Sequence, residues 1–191
     1  MNYIIKYATN EHELERILIF AKHIFGSEFN HQSWSERMKA HPELLIYAES
    51  EGKVIGITPS HLEDNGNITI DIVAVDEEHR KCGIAKELIA QVEKEAKNLN
   101  VHLLALGSVE SAEGFYERIG FTGQLLIQSE KHTIDELLAL NPGYPVAFSN
   151  VYDGKINQIC LKLDEPNREL QRLYETTFYG CHTQTMFWKR I

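Results

Sequence analysis

Cysteine is scarce in this chain: three residues in 191, at Cys82, Cys160 and Cys181. No spacing between them is short enough for a metal-binding or redox pair, which disfavours a disulfide framework and a zinc site and leads us to expect no metal. A reducing, cytoplasmic setting is expected. Positive charge is also short. Nineteen Lys and Arg stand against 28 Asp and Glu, a net charge of −9, which argues against nucleic acid as a partner because phosphate contacts need Lys and Arg. Long apolar runs are missing too: none approaches the roughly 18 residues a membrane helix needs. The opening residues, Met1 to Tyr7, alternate like a strand and lack the basic-then-apolar order of a secretory signal. No internal repeat or low-complexity linker interrupts the chain. What these absences leave is a soluble globular protein, 43% hydrophobic and 25% charged. Its length suits one core, or one core with a small appendage.

Periodicity predicts an alternation of strands and helices. Residues 2–7 read as a strand. Leu14, Ile17, Leu18, Ala21, Ile24 and Phe25 recur at helical spacing, so 11–25 is an amphipathic helix that Gly26 ends. Ser33 or Ser35 is expected to cap a second short helix running to Lys39. Residues 44–49 and 53–58 form a hairpin about Ser50-Glu51-Gly52, and a continuous strand is expected from Ile68 to Val75. The stripe Ile84, Leu88, Val92 and Ala96 predicts a core-facing helix over 81–99. A strand at 101–106, a helix at 111–119 and a strand at 121–128 follow. Further on, 133–140 reads as a short helix, and 145–151 and 156–163 as strands. Residues 166–178 read as a helix with Pro166 in its first turn, and 183–188 as a last strand.

Two segments carry chemistry. In Val73-Ala74-Val75-Asp76-Glu77-Glu78-His79-Arg80-Lys81-Cys82-Gly83-Ile84-Ala85 an apolar strand turns at once into a helix, through the spacing Arg-x-x-Gly-x-Ala. Small residues at Gly83 and Ala85 allow close backbone approach. The first amides of the helix lack intrahelical acceptors and sit at the positive end of its dipole, so an anion, most often phosphate, can bind there. The second segment is Ala112-Glu113-Gly114-Phe115-Tyr116-Glu117-Arg118-Ile119-Gly120-Phe121. Together the two resemble the GNAT superfamily of acetyl-coenzyme A-dependent N-acetyltransferases. That family's elements are (Gln/Arg)-x-x-Gly-x-(Gly/Ala) and Ala-x-x-(Phe/Leu)-Tyr-x-x-x-Gly-Phe, in this order and at this separation. The resemblance covers roughly residues 1–128 and is strong over 67–122.

The resemblance implies a mixed α/β fold: a central, mostly antiparallel sheet splayed at a cofactor slot and flanked by helices. It implies acetyl-coenzyme A as cosubstrate. The amides of Lys81, Cys82, Gly83, Ile84 and Ala85 would cradle the pyrophosphate, with added charge from Arg80 and Lys81, and the backbone of Val73 and Val75 would pair with the pantetheine arm. Many family members carry Asn three residues before the motif Ala. Here that position is Val109, so the contact is absent or falls to Ser108 or Ser111. Tyr116 is the expected acid for the departing thiolate, since a phenol of pKa near ~10 can donate a proton at neutral pH. For the base, Asp71 shares a strand face with Val73 and Val75; His61, Glu63, Asp64 and His31 are alternatives, and positioning without a base is another. Cys82 lies where a helix N-terminus lowers a thiol pKa, but the family transfers the acyl group directly.

The expected function is therefore acetyl transfer to a primary amine, with a small cationic amine favoured by the acidic charge. A non-catalytic acyl-coenzyme A-binding or partner-binding module and a peptide N-terminal or lysine acetyltransferase are the alternatives. Residues 1–130 are expected as the core domain and 131–191 as an extension packed on it, which supplies the last core strand from 156–163 or 183–188. The extension reads equally as a lid or as an edge for a homodimer. No membrane partner is expected.

Overall fold

The computed structural model describes residues 2–191, leaving Met1 outside. The chain forms a mixed α/β structure of mostly antiparallel strands flanked by helices. Its contacts divide it into two compact units: residues up to Leu104 with Arg190–Ile191, and Ala105–Lys189. Among the described residues no helix is long and apolar enough to cross a membrane.

The first unit contains β1 (Ile4–Tyr7), α1 (Glu11–Phe25), α2 (His31–Ala40), β2 (Leu45–Ser50), β3 (Lys53–Leu62), β4 (Ile68–Ile70), β5 (Ala74–Val75) and α3 (Ile84–Asn98). The strands lie in the order β1-β2-β3-β4, with β5 also on β3, and each pair is antiparallel. Side chains on β3 alternate between its two faces. Ile57 points into a core with Leu14, Ile17 and Phe20 of α1 and Trp34 and Met38 of α2. The neighbouring Gly56 faces α3: a Cβ there would stand 3.2 Å from Ile84 Cγ2 and 3.3 Å from Leu88 Cδ1. Glycine at this position is what lets α3 lie close on β3.

Three expectations for this unit are corrected. Asn30, and neither Ser33 nor Ser35, caps α2; its Oδ1 accepts from Ser33 N at 3.0 Å, so the helix starts at His31. The strand expected from Ile68 to Val75 is broken. Ser60 pairs with Ile70 and Ile57 with Ala74, so Thr58 and Pro59 face Asp71, Ile72 and Val73, an extra residue that bulges out. Pro59 has no N–H to offer the ladder, though its carbonyl still accepts from Asp71 N at 3.0 Å. Finally, α3 begins at Ile84, because Lys81 and Gly83 both take left-handed conformations (φ 64° and 87°) and end the preceding turn there.

The second unit holds the Ala105–Ser108 end of β6 (Leu103–Ser108), then α4 (Glu113–Arg118), β7 (Thr122–Ser129), α5 (Ile134–Ala139), β8 (Val146–Tyr152), β9 (Ile156–Lys162), α6 (Arg168–Thr177) and β10 (Cys181–Arg190) up to Lys189. Its strand order is β6-β10-β7-β9-β8. Of the two segments offered as a last core strand, β10 is the one inserted between β6 and β7, while β9 and β8 extend the sheet outside β7. The core joins Leu125 and Ile127 of β7 to Ile159 and Leu161 of β9, under Leu137 of α5 and Leu170 and Tyr174 of α6. Thr133 and Glu136 form a reciprocal capping box that starts α5. Asn167 caps α6, accepting from Leu170 N at 2.9 Å, which puts Pro166 ahead of the helix rather than in its first turn.

Candidate active site

The turn between β5 and α3 is built to leave amides unpaired. After Val75 the chain makes a 3-10 turn over Glu77–His79, tied by His79 Nδ1 to Asp76 Oδ2 at 2.8 Å. That hydrogen bond holds the Asp76 carboxyl below its ordinary pKa. Arg80 then runs extended, its Nε donating back to Val75 O at 3.3 Å. Gly83 is the N-cap residue of α3 and no side chain caps the helix. The amides of Ile84, Ala85 and Lys86 therefore have no intrahelical acceptor. A Cβ on Gly83 would meet nothing within 4 Å, so glycine is needed there for its positive φ and not for space. Arg80, Lys81 and Cys82 are all exposed around this helix end. Unpaired amides, a helix dipole and two cations form a donor set suited to a pyrophosphate.

Asp71 lies in the bulge and belongs to a different cluster. Arg37 Nη1 of α2 donates to its Oδ2 at 2.7 Å, and both carboxylate oxygens stand 3.0 Å from His61 Nδ1. The far side of the same imidazole, Nε2, is 3.1 Å from Glu63 Oε1, which also accepts from Thr69 Oγ1 at 2.7 Å. The hydrogen bond to Asp71 raises the His61 pKa, despite the opposing effect of burial. The cluster unites three of the base candidates, Asp71, His61 and Glu63. Asp64 lies in the turn after β3, and His31 starts α2 at 3.4 Å from Glu11. Arg37 carried no signal in the sequence, since its partner is 34 positions away. Val73 falls in the bulge outside any strand, whereas Val75 is paired with Gly56.

Tyr116 lies on α4 of the second unit, 6% exposed. Its ring packs against Phe115, Phe121 and Phe187, with centroids 5.1, 5.9 and 5.5 Å away. Burial pushes the phenol up to about 12. Of the two serines near the missing Asn position, Ser108 is buried and donates to Val109 O at 2.9 Å, while Ser111 is exposed in a 3-10 turn before α4. Cys160 and Cys181 are buried, and burial raises their thiols to about 12 and about 11. Among the described residues no group of three or more His, Cys, Asp or Glu is arranged to hold a metal.

A mixed, mostly antiparallel sheet flanked by helices defines the α/β class of the chain. The family model "Acetyltransferase (GNAT) domain" matches residues 8–134, and the chain belongs to that family. A search of curated protein sequences finds no match. Among solved structures it is similar to Ard1 from Thermoplasma volcanium (13% identity, TM-score 0.59, 100% of this chain and 99% of that one). It is also similar to an aminoglycoside 6'-N-acetyltransferase complexed with coenzyme A (12%, 0.58, 98% and 96%). A third is Arabidopsis thaliana Naa50 in complex with the bisubstrate analogue CoA-Ac-MVNAL (14%, 0.56, 85% and 99%). At these identities the likeness establishes the GNAT fold.

Proposed function

We propose that this protein is an N-acetyltransferase that moves an acetyl group from acetyl-coenzyme A to a primary amine, and that the acceptor is small and cationic. The observation that carries the reading is the α3 terminus: an uncapped helix behind Lys81 and Gly83 in left-handed conformations, within a family-matched segment. Its amides would hold the pyrophosphate, with Arg80 and Lys81 beside them, and Val73 and Val75 would offer backbone groups to the pantetheine. Ser111 takes the place of the missing Asn.

Acetyl-coenzyme A supplies the acetyl group activated as a thioester. Tyr116 donates its O–H toward the departing sulfur. With the phenol pushed up to about 12, against ~8.5 for an ordinary thiol, it works as a hydrogen-bond donor to developing negative charge more than as a strong acid. The proton that the amine nitrogen sheds ends on that sulfur, so the overall transfer is neutral in protons. Asp71 attracts and orients the cationic acceptor. Arg37 and His61 fix its direction, which leaves much of the rate to positioning. The net charge of −9 supports a cationic acceptor. A peptide N-terminus is the second reading, favoured by the likeness to Naa50.

The test is incubation with acetyl-coenzyme A and matched panels of polyamines, aminoglycosides, amino acids and short peptides, with detection of free thiol. Thiol release with small cations supports the proposal. Release only with peptides moves the reading to peptide N-termini.

A further inference from the structure

The helix that carries Tyr116 has little of its own to hold it in place. α4 is six residues long with no side-chain N-cap, well below the roughly 12–15 residues at which an isolated helix is even marginal in water. Gly114 inside it weakens it further. Its position is therefore set from outside: Phe187 of β10 packs on the Tyr116 ring, and two charged side chains of the C-terminal segment reach the ends of the helix. From α6, Arg168 Nη2 donates to Glu113 Oε2, Nη1 donates to Gln171 Oε1 at 2.6 Å, and Nε lies 3.6 Å from Glu110 Oε1. Gln171 in turn donates to Thr185 Oγ1 of β10 at 3.1 Å. At the other end of α4, Lys189 Nζ of β10 donates to Ile119 O at 2.6 Å, where the helix dipole favours a cation.

Glu113 and Tyr116 are three residues apart on one helix face and equally buried, at 6% exposure. Glu113 Oε1 is buried without a hydrogen-bond partner. Arg168 is thus the cation that balances this carboxylate, and its loss would leave a buried charge unpaired. The geometry points to Arg168 and Lys189 as positioning residues that clamp α4 at its two ends and thereby place the Tyr116 hydroxyl. The C-terminal segment is then part of the catalytic apparatus and not an appendage. This rests on the reading of Tyr116 as donor to the leaving sulfur.

Arg168→Met is expected to lower kcat at least tenfold with the KM for acetyl-coenzyme A within twofold. It is also expected to speed amide hydrogen exchange across Phe115–Gly120 while β7 and β9 keep wild-type rates. Arg168→Lys, which keeps charge but not the fork, should fall between. Glu113→Gln combined with Arg168→Met removes the stranded charge and should regain melting temperature without regaining kcat. In a Tyr116→Phe background, Arg168→Met should cost less than a further twofold. Unchanged α4 exchange in Arg168→Met, or kcat recovering together with stability in the Glu113→Gln combination, overturns the clamp. A silent Tyr116→Phe would sink the reading of Tyr116, while the exchange data would still decide whether Arg168 holds α4.

Discussion

Tyr116→Phe removes one oxygen and keeps the ring, so the packing against Phe115, Phe121 and Phe187 survives. The Tyr116 hydroxyl makes no hydrogen bond to the protein among the described residues. Its removal should therefore change stability by less than about 1 kcal/mol, since no partner is stranded. Turnover is a different matter. A preorganised donor to developing charge is worth about 100-fold or more, or about 2.7 kcal/mol at about 1.36 kcal/mol per tenfold. We expect kcat to drop by that factor, with acetyl-coenzyme A affinity within twofold by calorimetry and a near-native melting temperature. The pH profile adds a second check. Burial raises the phenol to about 12, so the protonated form persists to high pH and Tyr116 should produce no alkaline loss of activity below about pH 11. A kcat within twofold of wild type would refute the role. An alkaline limb near pH 9–10 that vanishes in Tyr116→Phe would refute the buried environment.

Two glycine substitutions should separate strain from space. Gly83→Ala meets no atom but must hold a positive φ, costing about 1–2 kcal/mol; relaxing that strain turns the α3 amides, so coenzyme A affinity should fall about tenfold by calorimetry with little change in fold. Gly56→Ala has ordinary backbone but meets Ala74 O and Ile84 Cγ2 at 3.2 Å, so it should lower the melting temperature more than Gly83→Ala, and an equal drop would contradict the packing argument. The His61 cluster should show a pH signature. Because Asp71 raises the folded-state His61 pKa, with Glu63 adding to it and Arg37 opposing, the stabilisation is complete below the unfolded value of about 6.5 and is lost as pH rises through the folded one. His61→Gln should therefore cost more melting temperature at pH 5.5 than at pH 9; the reverse order would refute the pairing. Asp71→Asn should raise the KM for a cationic amine at least fivefold while leaving that for acetyl-coenzyme A unchanged.

Local signals in the sequence foretold the elements that depend on local physics. The stripe from Leu14 to Phe25 foretold α1 over its whole length, and Gly26 ends it with φ 67° as its position suggested. The stripe from Ile84 to Ala96 marked α3, though its start moved from Lys81 to Ile84 because two left-handed residues intervene. The bulge at Asp71–Val73 was hidden because its cause, Pro59, lies on the partner strand. The candidate site divides in the same way. Motif positions from Arg80 to Ala85 and at Tyr116 stand in contiguous segments, so the sequence alone nominates them. Arg37 with Asp71 and Arg168 with Glu113 are 34 and 55 positions apart. Side chains that meet only after folding leave no periodic trace, so neither pair was visible.

Catalytic acetyl transfer to an amine is decided by thiol release in the acceptor panel. Free coenzyme A and N-acetylated product should form in equal amounts, with small cationic amines the better acceptors and turnover lost in Tyr116→Phe. Tight binding of acetyl-coenzyme A with no thiol released in the presence of any amine would contradict it and assign the fold to a binding module.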